Sequence, residues 1–359
     1  MNELVREEFI TATWMLVGGY MTVILFFVVK GALKTKSISD YALGNISFSP
    51  VFVGLALAAS MTSAATFIIN PGFIALYGLS GVLSFGIVMP LAIFVSLILL
   101  SKGFRKYGSS VKALTMAQWM SKMYKSENYG IFFAFISLLL VTFIVLICVG
   151  ITQVLSSALA VDPVLVLAGV VIFVFGYMMF GGANSMVYTN AIQATLMLIV
   201  AVILLGSGTD YFEGGFDAFR ERLAGISDHY ADWTNPDSPI FRNLFEIVFC
   251  QVVIGIAIVC QPHILTKSLL LKDDRNVNWY LFTGIIVLAI FFQVVIVGLF
   301  ARLHFSEMNI DVTSMPMDSI VSAYVVSKFS VYVGLLVILG LISAGLSTLE
   351  GLIQSLSST

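Results

Sequence analysis

Residues 51–79 are long and apolar enough to cross a membrane, yet polar and helix-breaking residues interrupt their middle. The interrupting residues are Ser60, Thr62, Ser63, Thr66 and Asn70, followed at once by Pro71-Gly72. Proline removes a backbone donor and clashes with the preceding helical turn. Because the freed carbonyls cannot face lipid, they must line protein or a water-filled cavity. A helix broken at this depth is how secondary transporters build ion and substrate sites, so the stretch predicts transport.

The composition places the whole chain in a membrane. Of its 359 residues 59% are hydrophobic and 11% are charged, and the mean hydropathy is +1.01, whereas a soluble domain carries about 25% charged residues. The apolar residues form runs of about 20, which predicts an all-α polytopic membrane protein. The net charge of -2 excludes the basic footprint of a nucleic-acid binder. The three cysteines and three histidines are too scattered for a disulfide framework or a metal site. The sequence shows no cluster of catalytic residue types, so we do not expect an enzyme.

Nine apolar segments are predicted to span the membrane, and residues 1–359 are treated as one transmembrane domain. The segments are residues 10–30, 49–78, 81–103, 129–158, 161–181, 187–208, 243–266, 278–302 and 330–357. Between spans six and seven, the mixed-charge segment FDAFRERLAG is expected to form a short amphipathic helix. Between spans eight and nine, we expect a helix to start after Pro316.

Basic residues are distributed unevenly between the two sides of these spans. Twelve of the 18 Lys and Arg residues follow spans one, three and seven, and the acidic residues 210–237 lie on the other side. The twelve are Lys30, Lys34, Lys36, Lys102, Arg105, Lys106, Lys112, Lys122, Lys125, Lys267, Lys272 and Arg275. The positive-inside rule then predicts a multi-pass protein of the cell (inner) membrane with its N-terminus outside and its C-terminus cytoplasmic.

Four motifs in order resemble the sodium/solute symporters, a family that carries sugars, proline, pantothenate and carboxylates. They are SMTSAATFIINPGFIALYG in span two, GGANSMVYTNAIQATLML at 181–198, QPHILTKSLLLKDD at 261–274 and AGLSTLEGLIQSLSS at 344–358. These motifs look like that family's first, fifth, sixth and eighth core helices, and the pantothenate and related carriers are nearest in style.

The resemblance implies a LeuT-like fold of two inverted five-helix repeats preceded by one extra helix. The extra helix would be residues 10–30, the first repeat residues 49–208, and a partial second repeat residues 243–359. The ninth and tenth core helices are not in this sequence. We therefore expect a C-terminally truncated chain, with the missing helices supplied by further sequence or by a partner.

The resemblance also implies a site for Na⁺, the ion expected to drive transport. Its oxygens would be the carbonyls of Ala59, Thr62 and Ala344 and the hydroxyls of Ser347 and Thr348. An unwound helix supplies carbonyls, and hydroxyls from a facing helix complete the shell. The alternative is that these hydroxyls only bond to their own helix.

A second sodium site in some relatives uses an acidic residue where this chain has Asn190. Since Asn offers an oxygen but no charge, we expect one Na⁺ per cycle.

The candidate substrate-binding residues are polar side chains at useful depth in the spans: Thr66, Asn70, Gln153, Gln251 and Glu350. Glu350 shares one helical face with Ser343, Ser347, Gln354 and Ser358. A carboxylate within a span usually faces a cavity and a partner, although a structural hydrogen bond is the alternative. Glu246, by contrast, is expected to pair with Arg242 near the surface.

The nature of the solute is constrained by three further positions. Relatives that carry sugar use a Gln, an acid and an Asn where this chain resembles them at Thr66, Phe85 and Val253. This argues against sugar and favours a nonpolar or carboxylate-bearing organic solute. The aromatic residues Phe73, Tyr77 and Phe85 are candidates for gating the cavity.

The sequence thus predicts sodium-coupled symport of a small organic solute by alternating access in a lipid bilayer. The alternative function is a transporter-like membrane sensor domain of a larger signalling protein. Sequence beyond Thr359 would distinguish the two.

Overall fold

The computed structural model describes residues 3–44, 47–111, 113, 115–271 and 273–359, and every regular element in these ranges is helical. The α-helices are α1 (Glu3–Ala32), α2 (Ile38–Leu43), α3 (Pro50–Met61), α4 (Asn70–Tyr77), α5 (Leu79–Gly81), α6 (Met89–Val111), α7 (Met116–Tyr124), α8 (Glu127–Leu138), α9 (Leu140–Leu159), α10 (Pro163–Gly206), α11 (Gly215–Ala224), α12 (Gln251–Val259), α13 (Pro262–Leu265), α14 (Val277–Gln293), α15 (Val297–Glu307), α16 (Ile320–Lys328) and α17 (Val331–Ser358). Lys112 and Lys272, two of the predicted basic-loop residues, lie outside the described residues.

Most predicted spans correspond to long apolar helices. Within the described residues, six helices are long and apolar enough to cross a membrane, and two bent helix pairs raise the number to eight if each pair is one span. The short helix expected between spans six and seven is α11, and the helix expected after Pro316 is α16. An all-helical, multi-pass membrane architecture is therefore confirmed, while the number of nine crossings stays a prediction.

The difference from nine lies in α10, where two predicted spans form one helix of 44 residues. A straight helix of that length measures about 66 Å, roughly twice the hydrocarbon thickness of a bilayer. Gly182 interrupts it with φ 53° and ψ -154°, a backbone conformation that L side chains rarely adopt. A side chain there would also meet the backbone of Tyr41 in α2. Glycine at this position therefore permits both the kink and the close packing of α2.

The first bent span consists of α3 and residues Ala65–Tyr77, which meet at an angle of 62°. Thr62 has an extended backbone, and the Ser63 hydroxyl accepts a hydrogen bond from the Ala65 N–H at 3.2 Å. The break thus falls at residues 62–64, ahead of Pro71. Thr66 and Asn70, expected inside the break, lie instead on the helix that follows it, which corrects that prediction.

Pro71 does not break its helix because the preceding turns are wider than an α-helix. Residues Ala65–Ile69 form a π-helix, in which the Asn70 N–H bonds to the Ala65 carbonyl five residues back. A proline ring clashes with the carbonyl four residues earlier in a regular α-helix. The wider turn relieves this clash, so the helix continues through Asn70 and Pro71.

The second bent span joins Phe245–Val259 to Pro262–Leu270 at 61°. Here Gln261 is extended, and Pro262 occupies the first turn of α13. A helix leaves the first N–H groups unbonded, so proline costs nothing at that position. The prediction that Gln261-Pro262 ends or kinks the seventh span is confirmed.

Packing places the first bent span at the centre of the molecule. Helix α3 contacts α10, α14 and α17, while α17 also packs against α9 and α10. At the other end of this span, the Tyr230 hydroxyl donates to the carbonyls of Ile74 and Ala75, each at 3.1 Å. The Asn235 amide donates to the Tyr77 carbonyl at 3.0 Å. The connecting residues 209–242 therefore supply hydrogen-bond donors to the last carbonyls of α4 and hold this helix end in place.

Candidate functional site

The end of α3 meets the middle of α17 through a group of closely spaced oxygen atoms. The Ser347 hydroxyl lies 2.9 Å from the Ala59 carbonyl and 3.0 Å from the Ala344 carbonyl. The Thr348 hydroxyl lies 3.2 Å from the Thr62 carbonyl and 3.1 Å from that of Ala344. The structure therefore brings together all five residues that the sequence proposed for sodium.

These five oxygens share only two protons, because each hydroxyl carries one and the three carbonyls carry none. The Thr62 hydroxyl is also buried and has no hydrogen-bond partner among the described residues. Oxygens about 2.4 Å from a hard cation and at right angles lie about 3.4 Å apart. The observed hydroxyl–carbonyl separations of 2.9–3.2 Å are a few tenths of an ångström shorter than this. The donor set and its spacing therefore fit Na⁺.

The interaction of α3 and α17 extends to α10 through Asn190. Its amide donates to the Ser60 hydroxyl at 3.0 Å, and that hydroxyl lies 3.4 Å from the Ser347 carbonyl. The Asn190 side-chain oxygen is buried without a partner among the described residues. Asn190 thus serves here as a donor that links three helices.

Beside the oxygen group lies a cavity of about 270 Å³, bordered by both bent spans. Its polar lining includes Ser60, Ser63, Thr66, Asn70, Gln251 and His263, and Thr348 of the oxygen group also reaches it. Phe85, Phe143 and Phe292 provide aromatic surface. Small-molecule pockets start at about 300 Å³, so the volume suits a small solute.

Three of the five predicted substrate-binding residues, Thr66, Asn70 and Gln251, line this cavity. The other two, Gln153 and Glu350, do not line it. Gln153 is exposed on α9, because its helical face points away from the bundle. Glu350 points toward α10 and is enclosed there. Val253, one of the positions compared with sugar carriers, also points outward and is half exposed.

Glu350 is fully buried and accepts three hydrogen bonds from α10. Its donors are the Tyr177 hydroxyl at 2.5 Å, the Thr189 hydroxyl at 2.5 Å and the Gln193 amide at 2.9 Å. The ammonium of buried Lys267 lies near enough to interact with it electrostatically. A carboxylate with this many donors is stable in a span, so the structure favours the alternative of a structural hydrogen-bonded role.

Two further residues, Gln261 and His263, line the cavity. Neither was predicted from the sequence to do so. Within the described residues, Nδ1 of His263 and Oε1 of Gln251 are buried without hydrogen-bond partners. Open acceptor atoms of this kind are suited to a solute's donors. The signal in the sequence was Pro262: a second proline-marked bend implies a second set of inward-facing polar residues.

Aromatic side chains close the cavity toward the 209–242 segment. Phe85 lines the cavity and packs edge-on against Phe73 and Phe241, with ring centroids 6.3 and 5.1 Å apart. Phe73 in turn stacks on Tyr77 at 6.4 Å. The three aromatic residues proposed as a gate therefore form one cluster, of which only Phe85 borders the cavity.

Polar contacts join helices at the end of the molecule opposite this aromatic cluster. Arg105 forms an ion pair with Asp274 and donates to the Ser268 carbonyl at 2.5 Å. The Gln354 amide donates to the Ala42 carbonyl of α2 at 2.8 Å. The contacts of Arg105 join α6 to the end of the second bent span, and the Gln354 bond joins α17 to α2.

The helical membrane bundle has two bent spans, a polar cavity between them, and backbone carbonyls at the first bend that bond to another helix. This is the architecture of a secondary transporter. The chain belongs to the sodium:solute symporter family, whose model matches residues 41–359.

Curated relatives and a solved structure agree with this membership. The sodium/pantothenate symporter of Escherichia coli (strain K12) is 28% identical over 283 residues, covering 75% of this chain and 56% of that protein. The osmoregulated proline transporter of Bacillus subtilis (strain 168) is 22% identical over 266 residues, covering 73% of this chain and 52% of that protein. The chain thus spans about half the length of these relatives.

A solved Na⁺-coupled sialic acid symporter, described as substrate-bound and outward-open, has a similar fold. It superposes with a TM-score of 0.78 at 16% sequence identity, covering 96% of this chain and 73% of that one. At this identity the likeness establishes the fold alone.

Proposed function

We propose that this chain forms the ion- and solute-binding part of a symporter that couples the inward movement of one Na⁺ to that of a small organic solute. The observation that carries the proposal is the group of five oxygens from Ala59, Thr62, Ala344, Ser347 and Thr348. Residues nearly 290 positions apart in sequence supply a proton-poor site that a hard cation fits.

In this mechanism, Na⁺ links the break in α3 to α17. Cation binding replaces hydroxyl–carbonyl contacts across the two helices with bonds to a shared charge, and thereby fixes the angle of the first bent span. Ser60, Ser63 and Thr348 border both the ion site and the cavity, so this change alters the solute site directly. The inward concentration gradient of Na⁺ drives solute accumulation, and for an uncharged solute a membrane potential of 100 mV adds about 2.3 kcal/mol per Na⁺ moved.

The two bent spans support the inverted repeats. Residues 49–208 would form the first repeat and residues 243–359 part of the second, and each begins with a span bent by about 60°. Alternating access then consists of one group of helices rocking around the midplane site.

The orientation follows from charge. The ends that carry Arg105 and Arg275 lie on the cytoplasmic side of the cell membrane, and the 209–242 segment lies outside. In this orientation the aromatic cluster closes the outer route and the Arg105–Asp274 pair closes the inner one.

The expected solute is small and is not a sugar. The cavity of about 270 Å³ has hydroxyl, amide and imidazole groups on one wall and aromatic rings on another. Pantothenate, which a relative's name identifies as that protein's solute, combines a carboxylate, an amide and hydroxyl groups with an apolar centre. It is the first solute to test.

The test is uptake of radiolabelled pantothenate into proteoliposomes that contain the complete natural protein, with an inward gradient of Na⁺ or of K⁺. In the Ser347→Ala, Thr348→Ala double variant, we expect Na⁺-stimulated uptake to fall to the level of empty vesicles, because two of five oxygens are lost. Thr142→Ala is the control, since that exposed hydroxyl bonds only to its own helix at Leu139.

Sodium binding is measured separately, as the increase in unfolding temperature of the detergent-solubilised protein on adding Na⁺. We expect the wild type and Thr142→Ala to be stabilised and the double variant not to be. Undiminished sodium stabilisation in the double variant would reject the ion site, whichever solute is carried.

A further inference from the structure

Lys267 is a buried cation with few hydrogen-bonding partners. It lies in the turn Thr266–Leu270 at the end of the second bent span, and only 2% of its surface is exposed. Its ammonium lies 3.8 Å from the Met186 sulfur, and in the described part of the chain no carboxylate lies within ion-pair distance of it. An ammonium has three donors, and thioether sulfur is a weak acceptor.

Glu350 does not fill this need in the state observed. Its carboxylate already accepts hydrogen bonds from Tyr177, Thr189 and Gln193 at 2.5–2.9 Å. The two charges interact through space, which lowers the cost of burying the ammonium. The carboxylate is nonetheless satisfied without the ammonium, whereas the ammonium retains free donors.

The position of Lys267 relates it to the cavity. His263, which lines the cavity, precedes it by four residues, about one helical turn. Among the residues that the structure describes, the cavity lining includes no Asp, Glu, Lys or Arg. Ser268, the next residue, is held by Arg105 at the end that the Arg105–Asp274 pair closes. Lys267 therefore lies between a neutral polar cavity and the closed end of the molecule.

We propose that Lys267 binds the carboxylate of the transported solute as it passes from the cavity toward the Arg105 end, so the solute is an organic anion. This inference rests on the proposed symport and names its substrate class. A cation on this route attracts an anion out of the uncharged cavity once the contacts of Arg105 open. Together with Na⁺ the anion enters as a neutral pair, which lowers the cost of moving either charge through the bundle.

The test compares pantothenate with panthenol, the neutral alcohol that differs from it only by replacement of the carboxylate. The complete protein is solubilised in detergent, so that both ends of the route are accessible. In the presence of Na⁺, each unlabelled compound competes with radiolabelled pantothenate for binding. We expect the wild type to prefer pantothenate by about tenfold or more, as a charge-assisted hydrogen bond allows. In Lys267→Gln this preference should fall to nearly one, while Lys267→Arg should keep it.

Two controls separate an effect on the carboxylate from a general loss of structure. Lys102→Gln removes an exposed lysine of α6 and should keep the wild-type preference. Sodium-dependent stabilisation should persist in Lys267→Gln, because Lys267 is not among the five sodium oxygens. If that variant does not fold, the comparison of Lys267→Arg with Lys267→Met by the same competition takes its place.

Chloride is the other anion that a buried ammonium attracts, and replacing chloride by isethionate distinguishes the two. If the wild type preferred pantothenate over panthenol in isethionate but not in chloride, Lys267 would be assigned to chloride and the proposal would be overturned. An unchanged preference in Lys267→Gln would also overturn it, with symport intact. Failure of the wild type to bind pantothenate or smaller monocarboxylates would overturn the substrate class, while the sodium measurement still decides the ion site.

Discussion

The two bent spans turn by nearly the same angle, 62° and 61°, but they break for different reasons and face different partners. The first breaks at Thr62–Ala64 without a proline, and carbonyls at this break accept hydrogen bonds from hydroxyls of α17. The second breaks at Gln261-Pro262, and the helix that follows carries His263 and Lys267 inward. The first bend thus concentrates oxygen atoms, whereas the second places an imidazole in the cavity lining and an ammonium four residues beyond it.

This contrast suggests a division of roles. Oxygen-rich, proton-poor surroundings suit a cation, and imidazole and ammonium groups suit the acceptor atoms of an organic solute. The following measurements compare residues of the two bent spans and of the helices that support them.

The largest effect is expected at Glu350, whose network supports α17 behind the first bend. Glu350→Leu leaves three buried donors without their acceptor and buried Lys267 without the nearby opposite charge, so the free energy of unfolding should fall by about 3 kcal/mol or more. The measurement is thermal or denaturant unfolding in detergent, with Glu350→Gln as a milder change.

The matched control is Glu246→Gln at the start of the second bent span. Glu246 pairs with Arg242 at 2.5 Å, as the sequence predicted, and its hydrogen bond raises the pKa of the Arg242 guanidinium. Because Arg242 is exposed and solvent screens the pair, we expect this control to change stability much less than Glu350→Leu does. Equal losses from the two variants would contradict the structural role assigned to Glu350.

An intermediate effect is expected from the cavity residues, one from each bent span. Asn70→Leu and Gln251→Leu should each raise the dissociation constant of pantothenate about tenfold, because each removes a neutral hydrogen bond to the solute. Sodium-dependent stabilisation should change little. Gln153→Leu, on the exposed face of α9, should leave both quantities unchanged, and an effect only at Asn70 would show that the second bend does not contact the solute.

The smallest effects are expected at the residues that shape the bends themselves. Ser63→Ala removes the side-chain acceptor for the Ala65 N–H, which should lower the unfolding free energy by about 1 kcal/mol. Pro262→Ala should cost less than about 1 kcal/mol, because proline in a first helical turn acts mainly by restricting the unfolded chain. Unfolding measured for both variants under one condition compares the two bends, and a larger loss at Pro262 would reverse their ranking.

Several elements were predictable because they depend on local chemistry. The run of apolar residues requires membrane helices, and hydroxyl-rich or proline-marked positions within such runs require a bend. The helices α11 and α16, and the pair of Arg242 and Glu246 four residues apart, follow from spacing alone. The break in the first span was predicted a few residues late, because the π-helical turn before Pro71 depends on surroundings that the sequence pattern does not reveal.

The side-chain directions were less predictable. Gln153 and Glu350 are both polar residues in spans, and both were predicted from the sequence to bind the solute. The structure places one on an exposed face and the other among three donors of α10. Which face of a helix turns inward depends on the neighbours with which it packs, and those neighbours lie far away in sequence.

The sequence by itself determined that this chain crosses a membrane as helices, that two spans are interrupted, and that its motifs match one family of symporters. The first two properties follow from the cost of unpaired polar groups in lipid, which acts on every segment separately. Only the tertiary structure decided that Ala59 and Thr62 meet Ser347 and Thr348, and that Lys267 is buried without a close anion. Such contacts depend on the packing of distant helices, so no local pattern specifies them.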